Sequence, residues 1–392
     1  MKFSLENNFK KQHKNLDNYN DSLLEFIKKE GLSAENYDND TERIMDEKFK
    51  LLFDKRNDYE EGFVKLENPN YFKNFFKEKK YNIIKPQSII KKNSTTLFTS
   101  AGVQILDDYI FDEKEITKDK MYVAQPVIRT QFIDSIKDGV STSFINISTE
   151  KMNPTTEDHF SSIKDWLNIL DSLGINRNNL DIFIKKGEPN WGGKVFKNNI
   201  FMFFYKGLEI GDAIYAYDIP QSTRESTSFS DIGFGLERLR WSLSHKNYFD
   251  YNEDNGASLK TLDYCKTLAL LSGSGVRPSN KSHGYRFRQF SKRLQQEFPG
   301  RIDSTKKIIN HYYNFWTKWT SLDNGQEDSL QLIEKENERN FNRLLLDVLS
   351  ESYSDVGIDI NMSTVQLLES LKGTSVKEEH LNKILTEIYE KH

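Results

Sequence analysis

Apolar residues recur at helical spacing early in the chain, at Leu23, Leu24, Phe26 and Ile27 and again at Phe49, Leu51, Leu52 and Phe53, between runs of Asn, Asp, Lys and Glu. The pattern predicts an N-terminal helical extension over 1–65 that packs on the body of the protein. From Pro69 the texture changes, and Tyr71–Lys80 has the period of an amphipathic helix. Tyr81–Ile90 is strand-like but interrupted by Pro86, which favours an edge strand or a bend. Thr95–Gln104 and Met121–Phe132 open as strands, and Phe160–Leu173 places Trp166, Leu167, Leu170 and Leu173 on one helical face. Leu180–Lys185, Val195–Tyr205 and Gly207–Ile219 alternate or run apolar as strands do. A polar loop, Gln221–Ser230, follows, and Asp231–Arg240 leads into a helix through Leu243. After about residue 255 helical patterns dominate, with breaks near Gly273–Pro278, Pro299–Gly300 and Asp355–Ser363. The order predicts an α+β protein: a mixed, mostly antiparallel sheet with flanking helices over 66–250, then an all-helical part over 251–392.

Composition narrows the classes. A chain of 392 residues suits two or three domains. It is polar, with 29% charged residues, but 27 Phe and 18 Tyr supply core volume. The formal net charge of -4 gives no overall attraction for nucleic acid, so any RNA contact must come from a local basic surface. The single cysteine, Cys265, excludes an internal disulfide framework and a cysteine-rich zinc site, and it reads as a small buried residue within Leu262–Leu271. No two histidines sit at i, i+4, so no structural metal site is expected. No apolar run approaches the roughly 20 residues that span a bilayer. Met1–Lys14 is polar, which gives the expectation of a soluble cytoplasmic protein.

The sharpest chemical signal is Asp231-Ile-Gly-Phe-Gly-Leu-Glu-Arg238. Glycines alternate with apolar residues along a strand, and Gly233 and Gly235 leave one of its faces open for a flat ligand or a small substrate. Glu237 and Arg238 then open a helix, and the Arg238 guanidinium, always charged, suits phosphate oxygens. A dinucleotide-binding loop would instead place its glycines between strand and helix.

Gly-Phe-Gly-Leu-Glu-Arg resembles motif 3 of class II aminoacyl-tRNA synthetases, of the alanyl-tRNA synthetase type. The resemblance implies an antiparallel class II catalytic sheet followed by helices that recognise tRNA. It gives Arg238 the γ-phosphate of ATP and Asp231 the α-ammonium of the amino acid. Thr96-Leu-Phe-Thr-Ser-Ala-Gly102 is similar to a segment that follows motif 1, whose proline would be Pro86. Gln125-Pro-Val-Ile-Arg129 resembles the opening of motif 2, with Arg129 on the α-phosphate and Phe144 near adenine. Leu208-Glu-Ile-Gly-Asp212 resembles a pocket strand of the family, which adds Asp212 and Gly233 to the amino-acid site and Gly235 to the ATP site. Gly187–Gly193 stands in place of a Gly-rich loop. Gly275-Val-Arg-Pro-Ser-Asn280 and Gly284-Tyr-Arg-Phe-Arg288 resemble the tRNA-recognition run, so Asn280, Arg286 and Arg288 would meet the acceptor stem. Glu369 would be a second reader there. Arg277, Lys281, Arg286, Arg288, Lys292 and Arg293 follow one another without an acidic residue, as suits a phosphate-tracking surface.

The chain also departs from the family. It ends where an editing domain would begin, which predicts no clearance of mischarged tRNA in cis. Ile145 replaces the glutamate common in motif 2. Gly211 and Asp212 replace Trp and Asn, which predicts an enlarged pocket with an extra carboxylate and a substrate other than alanine, either larger or carrying an extra donor or cation. The expected chemistry is attack of an amino-acid carboxylate on the α-phosphorus of ATP, with Mg²⁺ bridging phosphate oxygens and pyrophosphate leaving. The aminoacyl group then passes to tRNA. The competing readings are a stand-alone ligase that charges a carrier-protein thiol or a small amine, and a non-catalytic RNA-binding paralogue.

Overall fold

A computed structural model of the chain describes residues 19–91, 96–112, 114–222, 226–251, 256–351, 353, 359–372 and 374–390. The chain divides into two compact units. The first takes in the chain up to Gln87, Lys91–Val127 and Phe144–Tyr248; the second takes in Ser88–Ile90, Ile128–Ser143 and the chain from Phe249 onward.

The first unit runs α1 (19–30), β1 (Ala34–Asn36), α2 (Thr41–Leu52), α3 (Glu60–Glu67), α4 (Asn70–Glu78), β2 (Asn82–Ile83), α5 (Asp107–Ile110), β3 (Met121–Ile128), β4 (Ser143–Met152) and α6 (Thr156–Ser172). It continues through β5 (Leu180–Gly187), β6 (Asn190–Trp191), β7 (Lys194–Val195), β8 (Lys197–Tyr205), β9 (Leu208–Pro220), β10 (Ser226–Gly235) and α7 (Leu236–Ser242). Eight strands form one mixed sheet in the order β1-β5-β8-β9-β10-β4-β3-β2. Its centre, from β5 to β4, is antiparallel, and the outermost pairs β1/β5 and β2/β3 are parallel.

Local chemistry sets these elements. The Thr155 side chain accepts from the Asp158 N–H and opens α6, whose Trp166, Leu167, Leu170 and Leu173 face is fully buried as its period predicts. Lys206 and Gly207, both at positive φ, make the two-residue turn between β8 and β9. A Cβ at Gly207 would lie 2.3 Å from the Phe49 nitrogen and 2.4 Å from the Met45 carbonyl oxygen, so α2 rests directly on this turn. Arg56, 5% exposed, donates from Nε to the carbonyls of Trp241 and Ser244 at 2.8 and 2.9 Å, tying the N-terminal region to the end of α7.

Several expectations need correction. The N-terminal region supplies β1 at one edge of the sheet besides its helices. Of Tyr81–Ile90 only Asn82–Ile83 is a strand, because Pro86 cannot donate to a ladder. Thr95 lies outside the described residues; 96–101 form no strand, and Gly102–Leu106 is a 3₁₀ turn. β4 was not expected at all. The loop before Asp231 is shorter than expected, since β10 begins at Ser226, and 223–225 lie outside the described residues.

The second unit is built on α8 (Leu259–Gly273), α9 (Ser282–Glu297), α10 (Ile302–Trp319), α11 (Gln326–Ser350), α12 (Thr364–Lys372) and α13 (Glu378–Glu390). From Thr261 to Gly273 every residue of α8 is buried, which marks it as the central helix of this unit. Phe341, Leu345 and Leu349 of α11 share a second core with Leu367 and Leu371 of α12 and Leu381 and Ile384 of α13. A further break, Thr320–Gly325, separates α10 from α11. Of the expected break at Asp355–Ser363, 354–358 lie outside the described residues. No helix among the described residues is long and apolar enough to cross a membrane.

Candidate functional site

Strand alternation decides which side chains can meet. On β10, Asp231, Gly233 and Gly235 share one face, while Ile232 and Phe234 share the other. Phe234 stacks on Trp166 of α6 at 4.5 Å between ring centroids, so its face is the helix-covered one. On the opposite face the register sets Asp231 beside Glu150 and Ile214, Gly233 beside Ser148 and Asp212, and Gly235 beside Asn146. Phe144, two residues before Asn146, falls on the same face of β4. One face of β4, β10 and β9 thus carries Phe144, Asp212, Asp231, Gly233 and Gly235 together.

The face is bounded closely. A Cβ on Gly233 would sit 3.0 Å from Asn146 Nδ2, and Asn146 Oδ1 accepts from the Gly102 N–H at 2.7 Å. A Cβ on Gly102 would fall 2.0 Å from Ser148 Oγ, so only glycine lets the 96–102 segment lie over β4 here. At the far end Met152 faces Phe229 in register, and both belong to an apolar cluster with Ile105, Leu106 and Ile110. The Gly187–Gly193 segment folds into the β6–β7 hairpin, turning at Gly192 and Gly193, and Trp191 packs on Phe111 and Phe229 of that cluster.

Arg238 stands in the first turn of α7 with its side chain 30% exposed. Its guanidinium donates to the Glu209 carbonyl at 2.7 Å and lies 3.4 Å from the Glu209 carboxylate, so β9 fixes its position. Glu237 beside it is 4% exposed and accepts from the Ile145 N–H at 3.1 Å, binding the start of α7 to β4. Arg240 pairs with Glu67 of α3 and lies 5.2 Å over the Phe63 ring.

One expectation about this face is corrected. Gly211 pairs with Phe234 and so lies on the helix-covered face, where a Cβ would meet the Phe234 ring at 2.4 Å. The space left by a missing indole there is filled by Phe234 and does not enlarge a pocket beside Asp212. Ile145 is fully buried on that same helix-covered face, opposite in sense to Phe144.

Glu150 was missed, as were Asn146 and Ser148. Glu150 is 2% exposed, and its carboxyl hydrogen-bonds within the sheet to Ser148 and to Asp231. Burial first, and then the negative charge of Asp231, hold its pKa well above the usual carboxylate range; Asp212 adds to this and the Ser148 hydroxyl opposes it. A signal was present in the sequence. Phe144-Ile-Asn-Ile-Ser-Thr-Glu150 alternates between two faces with period two.

Arg129 belongs to the second unit. It is half-buried, and its N–H donates to the Thr142 carbonyl at 2.7 Å. The fully buried Asp263 of α8 holds Thr142 in turn, accepting from its N–H at 2.7 Å and from its hydroxyl at 2.5 Å. Thr267 links the Thr142 and Ser143 hydroxyls at 2.7 and 2.8 Å. Burial pushes Asp263 up to about 6, against the opposing hydrogen bonds from Thr142. The native state therefore keeps this proton after the unfolded chain has lost it, and stability falls as pH rises from about 4 to about 6, by on the order of 3 kcal/mol. Asp263→Asn is expected to remove that slope, as read by urea unfolding across this pH range.

In the second unit Arg288 donates to Asn280 and its Nε lies 3.4 Å from Glu336. Arg277, Arg288, Lys335, Arg339 and Asn361 line a concavity of about 380 Å³ with Glu336 at its wall. Lys335 and Arg339 come from α11, far along the chain, and were not anticipated. Arg286 instead bonds Gln289 at 2.7 Å, and Glu369 is exposed on α12; neither lines the concavity.

No family model matches the chain. Among curated proteins it is similar to the alanine–tRNA ligase of Borrelia hermsii (strain HS1 / DAH), at 22% identity over 67% of this chain. The match spans 62% of that ligase's length.

Proposed function

We propose that the chain is an adenylate-forming ligase of the aminoacyl-tRNA synthetase kind, activating an amino acid with ATP and passing it to tRNA. One observation carries the reading. The segment Asp231–Arg238 folds as a strand and a helix start, with Asp231 and Gly233 on the same face as Asp212 and Phe144, and with Arg238 anchored on Glu209. The similarity to an alanine–tRNA ligase supports it.

On this reading the Asp231 carboxylate holds the α-ammonium, a charge-assisted pair that selects an amino acid. Phe144 offers its ring to adenine. Arg238 holds the terminal phosphate. The carboxylate oxygen of the amino acid forms the new bond to the α-phosphorus while the bond to pyrophosphate breaks. No protein nucleophile is needed, so rate comes from positioning and from charge placed in advance. The described residues contain no group of three or more His, Cys, Asp or Glu able to hold a metal ion. Mg²⁺, if bound with ATP, would supply positive charge to offset that of the leaving pyrophosphate. The basic concavity around Arg277, Arg288, Lys335 and Arg339 favours tRNA over a carrier protein as acceptor, because it can follow phosphates on an acidic chain.

Amino-acid-dependent ATP–pyrophosphate exchange tests the reading, run with and without bulk tRNA. Exchange is expected with one amino acid or one class of them, and Arg238→Ala should lower it by about 100-fold or more. Absence of exchange with every amino acid offered, proteinogenic or not, would overturn it. Absence of salt-dependent tRNA binding would remove tRNA as the acceptor, and binding unchanged in Arg288→Ala would take the concavity out of that role.

A further inference from the structure

Every other Phe, Tyr or Trp side chain described in the second unit is buried or half-buried, but Tyr285, in the first turn of α9, is 52% exposed. A single exposed ring is ordinary on a protein surface; its setting here is what points to a ligand. Lys281, Tyr285, Arg288 and Lys292 follow one another at intervals of four, three and four residues, so they share one stripe of α9. Arg286, bonded to Gln289, sits 6.0 Å from the Tyr285 ring centroid. No acidic residue occurs between Arg277 and Arg293.

The loop before α9 is pressed onto that helix. A Cβ on Gly284 would lie 2.2 Å from Ser279 Oγ and 2.4 Å from the Arg277 carbonyl oxygen, so glycine is what lets 277–279 lie against the first turn. Ser279 Oγ donates to the Lys281 carbonyl at 2.9 Å and closes the loop. Arg277 thereby joins Arg288, one turn on from Tyr285, in lining the concavity of about 380 Å³ with Lys335 and Arg339 of α11. Four cations meet one carboxylate there, and Arg288 and Arg339 share Glu336 Oε1 at 3.4 and 3.3 Å. The surplus positive charge suits phosphates, whatever nucleic acid carries them. The ring is more selective. In a duplex the base faces are stacked on one another, and a side-chain ring meets one only where a base is unpaired or the stack ends. We propose that Tyr285 is a stacking platform for an unpaired base of an RNA, and that the concavity beside it takes the phosphates of the adjoining nucleotides. This deepens the tRNA contact proposed above, on which it rests, and names a single-stranded part of the RNA as what this surface takes.

The test is fluorescence anisotropy with a labelled RNA duplex that carries a short single-stranded tail, beside the same duplex with an abasic tail, which keeps the phosphates and lacks the bases. The tailed RNA should bind about 10-fold tighter than its abasic counterpart. In Tyr285→Ala that preference should fall toward one while the salt dependence of binding stays the same, and Tyr285→Phe should keep the preference. In Lys335→Ala the salt slope should drop by about one and the preference should remain. Equal binding of the two RNAs, or a preference untouched by Tyr285→Ala, overturns the stacking role and leaves the phosphate contacts standing. No salt-dependent binding of either RNA overturns both. The measurement needs neither ATP nor an amino acid, so it stands apart from pyrophosphate exchange: a Tyr285-dependent base preference without exchange upholds this surface while the adenylating function falls.

Discussion

Asparagine in place of Asp231 is expected to lower kcat/KM for the amino acid in pyrophosphate exchange by about 100-fold or more, with ATP affinity changed by less than about twofold. Asp231 is 8% exposed, so its charge is poorly screened and its hydrogen bonds to an ammonium count for more than they would at a surface. Asparagine keeps the shape but brings an N–H₂ donor where the substrate also donates. ATP is held elsewhere, by Phe144 and the anchored Arg238 on the proposed reading, and should bind as before. The same substitution removes the charge that, after burial, does most to keep Glu150 protonated. Glu150 should then ionise more readily, and some amino-acid affinity should return as pH rises. Kinetics against amino-acid concentration at several pH values, paired with ATP titrations, measure both effects. Equal loss of ATP and amino-acid binding would point to general damage and would count against the assigned role.

The largest stability change is expected from Trp166→Ala. This indole is fully buried on α6, stacks on Phe234 at 4.5 Å and packs on Phe76 at 5.1 Å. Its Nε1 donates to Thr149 Oγ1 at 2.8 Å. Truncation leaves a cavity under β4 and β10 and orphans the Thr149 hydroxyl, for a loss of about 3–5 kcal/mol. Trp166→Phe should lose markedly less, because it retains the stacked ring and gives up only the hydrogen bond and part of the volume. Thermal and urea unfolding, with near-ultraviolet circular dichroism as the probe of packing, read the difference. Equal effects from the two variants would mean that the hydrogen bond, and not the ring, carries the site. Trp166 supports the opposite side of the sheet from Asp231 and Gly233, so the alanine variant should also lose exchange activity on mild warming, before global unfolding.

Much of the fold was legible in the sequence. The face of α6, the paired strands from Leu180 to Ile219, the strand-to-helix passage at Asp231–Arg238 and the helical second half all follow from period and composition over short windows. These are local properties: a helix buries residues three and four apart, and a strand alternates, whatever the rest of the chain does. β1 escaped notice because three residues at an edge carry no periodic signal, and they pair with Ile182–Ile184, far along the chain.

The candidate site divides in the same way. Asp231, Gly233 and Arg238 were legible because one short segment carries all three with its own turn chemistry. Glu150 was not, since Ser148-Thr-Glu-Lys151 reads as solvent-facing polarity until β4 is known to lie against β10. Gly211 was misplaced for the same reason, as its pairing with Phe234 sets the side on which it opens space. By itself, then, the sequence determined most of the elements and the chemical types on offer. Which carboxylates share a face, which glycine makes room and for what, and which polar groups are buried beside one another were decided only by the register of β4, β10 and β9. That register is a long-range choice, made by burying the Trp166–Phe234 side of the sheet, and a shift of one residue would turn every one of these side chains to the opposite face.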